Sequence, residues 1–135
     1  MKIVKSISCV LMLIILLTSC GKKTDEQIIT KNVTEFAKAL YTSNFEKAAK
    51  YCTPTAAESI PLIQQNMPEE VIAASKKTKP SVEVSEVTID EIGMTARVKC
   101  ILRGTYDLNT ASGISEDDIT TSFILYKEGN KWLVN

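Results

Sequence analysis

From Thr24 to Lys77 the apolar residues recur at helical spacing, and after Pro80 they fall on every second position. Ile29, Val33, Phe36, Ala37 and Leu40 form one stripe at intervals of three and four, which predicts an amphipathic helix. Thr24, followed three positions later by Gln27, is a capping-box start. Asn44 breaks this helix and caps a second, short one that carries Phe45, Ala48, Ala49 and Cys52 and ends at Pro54. Thr55 and Glu58 read as another capping box. Pro61 predicts a kink or restart, because it lacks the N–H and clashes with the preceding turn, with Leu62, Ile63 and Met67 facing inward. Pro68, Glu69 and Glu70 open a last helix with acids at its positive end, Lys76 and Lys77 suit its negative end, and Lys79-Pro80 stops it.

The strand half carries its own internal check. Val82 and Val84 are out of phase with Val87 and Ile89, and one extra residue near Ser85-Glu86, a β-bulge, restores the phase. Glu91-Ile92-Gly93 supplies a turn into a strand with Ala96, Val98, Cys100 and Leu102 on one face and Arg97, Lys99, Ile101 and Arg103 on the other. Pairing through that turn sets Ile89 against Ala96, Val87 against Val98, Val84 against Cys100 and Val82 against Leu102, with Glu86 opposite Lys99. A polar connection runs from Asp107 to Asp118. A third strand follows from about Ile119 to Lys127, with Phe123 and Leu125 in phase, then the turn signal Glu128-Gly129-Asn130 and a last edge strand over 131–135 with the only tryptophan, Trp132. Helices first and an antiparallel sheet after them predict an α+β fold with helices packed on a curved sheet of about four strands.

The first twenty residues read differently. Lys2 and Lys5 precede an apolar run from Cys9 to Leu17, and small residues follow, as in a secretory signal. The run is shorter than the ~20 residues a spanning helix needs, which disfavours an uncleaved anchor. Leu17-Thr18-Ser19-Cys20 resembles the bacterial lipobox, whose cysteine is acylated and becomes the new amino terminus. The resemblance implies a signal peptide over 1–19, a lipidated Cys20 with a short linker over 20–24, and a cargo domain over 25–135. It also implies an exported protein held to a bacterial membrane through the lipid on Cys20. Gly21, where an aspartate would mark inner-membrane retention in enteric bacteria, points by the same analogy to the outer membrane.

Composition removes several functions. The chain has 16 basic and 16 acidic residues, and without Lys2 and Lys5 the balance is 14 against 16. No clustered basic face is present to hold nucleic acid. Histidine is absent, which removes the commonest metal ligand and neutral-pH proton carrier. Asp107, Asn109 and Gly113 faintly suggest a calcium loop, yet Ser112 stands where the EF-hand spacing requires glycine. No metal site, cofactor or catalytic set is expected. Cys52 and Cys100 both fall on inward faces, and an exported chain can bond them, so a disulfide and two buried thiols both stand open.

The helix, short step and second helix over Phe36–Leu40 and Asn44–Ala48, with the closing hairpin Tyr126–Trp132, resemble the nuclear-transport-factor-2-like (cystatin-like) superfamily. With the lipobox, the chain is similar to a family of small bacterial lipoproteins without established function, some labelled lumazine-binding. That resemblance implies a cone formed by sheet and helices, with Tyr106, Phe36 and Leu102 as candidate ligand-lining residues. Enzymes of the superfamily place histidine, aspartate or tyrosine inside the cone, whereas the inward strand faces here are apolar. The expectation is a non-enzymatic envelope lipoprotein that binds an envelope protein. The alternative is a carrier for a small apolar ligand, a heterocycle or a lipid fragment.

Overall fold

The structure, a computed structural model, describes residues 24–107 and 113–135. The lipobox and the expected lipidation of Cys20 lie outside the described residues, as do Asn109 and Ser112. Four helices, α1 (Asp25–Tyr41), α2 (Phe45–Lys50), α3 (Pro54–Asn66) and α4 (Glu69–Lys76), precede four strands. These are β1 (Ser81–Asp90), β2 (Thr95–Arg103), β3 (Ile119–Glu128) and β4 (Lys131–Val134), in one antiparallel sheet of order β1-β2-β3-β4. The architecture is α+β.

The capping chemistry starts α1 where the sequence places it. Thr24 accepts a hydrogen bond from the Gln27 N–H at 3.2 Å while the Gln27 side chain accepts one from the Thr24 N–H at 3.1 Å. Ile29, Val33, Phe36, Ala37 and Ala39 form its buried stripe, which lies against β1, β2 and β4. Against it stand Ala96, Val98, Cys100 and Leu102 of β2, all buried, with Leu125, Trp132 and Val134. Phe36 meets Phe123 edge-to-face, with ring centroids 5.4 Å apart. The bulge falls between Val84 and Glu86, and all five predicted β1–β2 pairs are present. A one-residue slip would have turned Val82 and Val84 to solvent, which is why alternation alone could place the bulge.

Three local expectations need correction. The cap of α3 is Thr53, whose hydroxyl accepts from the Ala56 N–H at 3.2 Å, so Pro54 is the first helical residue and Thr55 is no cap. The helix then runs through Pro61 without restarting; Pro61 is exposed, and on that side water can take the carbonyl that loses its partner. Leu62 and Ile63 consequently do not face the core, being 58% and 40% exposed. β4 is the edge strand expected, and one bridge covers its end. The Val134 N–H donates to the Tyr51 carbonyl and the Thr53 N–H to the Val134 carbonyl, both at 2.8 Å, so the α2–α3 junction continues the sheet as a parallel bridge.

Candidate functional site

The turn between α1 and α2 builds the most distinctive corner of the domain. The Ser43 N–H bonds the Leu40 carbonyl and the Asn44 N–H bonds the Ala39 carbonyl, the paired bonds of a Schellman ending. Such an ending puts the residue after the cap in the left-handed region, normally glycine; here it is Ser43, at φ 58°. Ser43 is buried, and its hydroxyl lies against the Ser75 hydroxyl of α4. Ser75 in turn donates to the Ile72 carbonyl at 2.9 Å. A carbonyl is a far better acceptor than the Met67 thioether 3.7 Å from Ser43, so the proton order runs Ser43 to Ser75 to Ile72. That order leaves the Ser43 oxygen with lone pairs to accept from a further donor.

This hydroxyl pair sits in the wall of an apolar cleft of about 200 Å³ lined by Leu40, Tyr41, Ile63, Met67, Val71 and Tyr106. A second, shallower recess of about 340 Å³ shares Leu40 and Ile63 with it and adds Phe36, Cys52 and Phe123. The two adjoin at Leu40 and Ile63, between α1 and α3. Burial raises the Tyr41 pKa, so its phenol stays neutral across the physiological range. Tyr106 is held by an isolated bridge to Ile114, just beyond β2.

Of the residues expected to line a ligand site, Tyr106 lines the cleft and Phe36 the adjoining recess. Leu102 does not. It is fully buried on β2, paired with Val82 and Ile119, and belongs to the core. Ser43, Ser75, Tyr41 and Val71 carry the cleft without having been singled out. Their one signal is the Thr42-Ser43-Asn44 step between two helices, and nothing in the sequence pairs it with Ser75.

Cys52 and Cys100 are free thiols, and a bridge between them is ruled out by the register. Cys52 borders β4, so β4 and β3 separate it from β2, three strand spacings or about 14 Å, against the ~7 Å limit for bridged Cα atoms. Both thiols are held protonated by burial, Cys100 pushed up to about 11, which makes them poor nucleophiles.

The sheet's outer face carries a wider recess of about 450 Å³, but its lining, Glu86, Thr88, Arg97, Lys99 and Ser122, is polar and charged. Its charges alternate in sign: Glu86 and Thr88 stand opposite Lys99 and Arg97, and Arg103 bonds Glu83 at 2.7 Å and Asp118 at 3.2 Å. Exposed pairs of this kind are screened by solvent and mainly hold register. Among the described residues no group of three or more His, Cys, Asp or Glu side chains is placed to hold a metal, and no helix is long and apolar enough to cross a membrane. Neither a protein-family model nor a curated protein matches the chain.

Proposed function

We propose that this chain is a lipid-anchored, non-enzymatic binding protein of the bacterial envelope, with a nuclear-transport-factor-2-like domain whose cleft takes a small, mostly apolar ligand carrying one hydrogen-bond donor. The observation that carries this reading is the buried Ser43–Ser75 pair set into an otherwise apolar wall. A few convergent polar atoms in an apolar pocket give orientation and selectivity, while the apolar lining supplies the affinity. The ligand's donor would meet the Ser43 oxygen, and its body would lie along Leu40, Met67 and Val71. Nothing in the cleft is poised for proton transfer: its titratable side chains are phenols, and no carboxylate lines it. The anchor on Cys20 and the export it requires belong to the same proposal and rest on the lipobox resemblance.

The test is a fluorescence titration with 1-anilinonaphthalene-8-sulfonate as an apolar probe. Native protein is expected to enhance the probe's emission saturably, and Val71→Phe, which fills the cleft from a half-buried position, is expected to abolish that signal while leaving far-UV circular dichroism unchanged. Probe binding that is absent in the native chain, or indifferent to V71F, would sink the cleft as the site. The competing reading, an envelope protein docked on the outer sheet face, has Ile124 and Tyr126 in its favour, 42% and 40% exposed there. It is the reading left standing by such a negative result.

A further inference from the structure

The described domain begins at the end of the sheet where both of its hairpin turns lie. Asp25, at the start of α1, pairs with Lys127 at 3.6 Å, and Lys127 stands opposite Trp132 at the β3–β4 hairpin. The Lys127 N–H also donates to the Met94 carbonyl at 2.9 Å, which brings the β1–β2 turn to the same end. That turn is shaped tightly. Asp90 accepts from the Ile92 and Gly93 N–H groups, both at 3.1 Å, and a Cβ on Gly93 would come within 2.9 Å of the Asp90 carboxylate. The outcome is an apolar tip with nowhere to go: Ile92 is 98% exposed and Met94 58%.

Single exposed apolar residues are ordinary, and Ile114 and Leu62 are as bare as Met94. Position separates Ile92 and Met94 from these. Cys20 stands four residues before Thr24, a reach of at most about 14 Å when extended. A lipid on Cys20 therefore holds this end of the domain, and no other, against the headgroups. Ile114 bridges Tyr106 beyond the opposite end of β2, a further ~30 Å along the strand.

We infer that the β1–β2 turn is a membrane-contacting surface, with Ile92 and Met94 entering the lipid interface beside the acyl anchor. The inference rests on the anchoring at Cys20 proposed above. The charges at this end nearly cancel: Lys127 and Lys131, with Lys22 and Lys23 beside the anchor in sequence, stand against Asp25, Glu26, Asp90, Glu91 and Glu128. The turn itself offers apolar side chains, for which neutral lipid suffices. Two contacts, the acyl chains and the turn, would also fix the orientation of the domain, with the cleft at the end away from the bilayer.

The full chain, purified in lipidated form from membranes, is reconstituted into phosphatidylcholine vesicles containing phosphatidylcholine brominated near the top of its acyl chains. Ile92→Trp and Ile114→Trp each add one tryptophan at an exposed site, with the wild-type chain giving the background from buried Trp132. Brominated lipid is expected to quench the I92W emission at least about twofold more than that of I114W, as interfacial burial of one turn requires. Equal, weak quenching in both variants while the protein still floats with the vesicles overturns the turn contact and leaves the anchor intact. A chain that does not float overturns both.

Discussion

Ser43 is the residue at which local and functional demands part. At φ 58° a serine costs about 1–2 kcal/mol that glycine would avoid. It stays in place because its hydroxyl is buried against Ser75. The two substitutions therefore separate the effects. Ser43→Gly removes strain and hydrogen bond together and is expected to change stability by no more than about 1 kcal/mol. Ser43→Ala removes the same hydrogen bond but keeps the strain, and is expected to be the less stable of the two by about 1 kcal/mol or more in urea unfolding. The opposite order would mean that the left-handed backbone at position 43 carries no strain. Sequence alone shows Ser43 only as a polar residue in a turn, because its backbone angle depends on how α1 ends and its partner arrives from 32 positions away.

At the scale of elements, most of the fold is legible because each element carries its own signal. Thr24 and Asn44 cap where they should, and the phase break at Ser85 predicts a bulge that the β1–β2 register then contains. The α2–α3 junction fails this rule. Two threonines flank Pro54 and Thr55 has the capping-box partner Glu58, yet Pro54 takes the first helical position and leaves the cap to Thr53. Thr53 also ties the junction to the chain end, donating to the Asn135 side chain at 2.9 Å while its N–H bonds β4. Thr53→Ala removes the cap and that tie together. An expected loss of about 1–2 kcal/mol follows, which for a domain of this size is a drop of roughly 5–15 °C in Tm. An unchanged melting curve would show the cap to be replaceable by water.

Across the whole molecule, the absence of histidine and the burial of two thiols set the response to pH. No side chain with an ordinary pKa between 5 and 8 is present, so stability is expected to be flat there. Glu35 is held below the usual carboxylate range by its hydrogen bond from Lys47, so its contribution is present above that range and fades as pH falls through the depressed value. The alkaline side is steeper. Cys100 is raised on folding from 9.0 to about 11, so the unfolded chain gives up that proton first, and stability is full below pH 9 and falls up to about 11. The drop from this one thiol is about 2–3 kcal/mol, and Cys100→Val is expected to flatten the fall in stability measured between pH 8 and 11. An identical slope in the variant would assign the alkaline limb to other groups.

The α+β order, the β1–β2 register and the buried face of β2 are legible from the chain alone, because periodicity, capping and the bulge are written within a few neighbouring residues. It left a disulfide open, and it offered Leu102 as a ligand contact. Both points depend on how the elements pack. The distance between Cys52 and Cys100 depends on how many strands lie between them, and Leu102 is sealed within the packed core. The cleft belongs to the same class of fact. Its wall is drawn from α1, α3, α4 and the bridge at Tyr106, elements whose mutual placement no local pattern encodes, and Ser43 meets Ser75 only once they are packed.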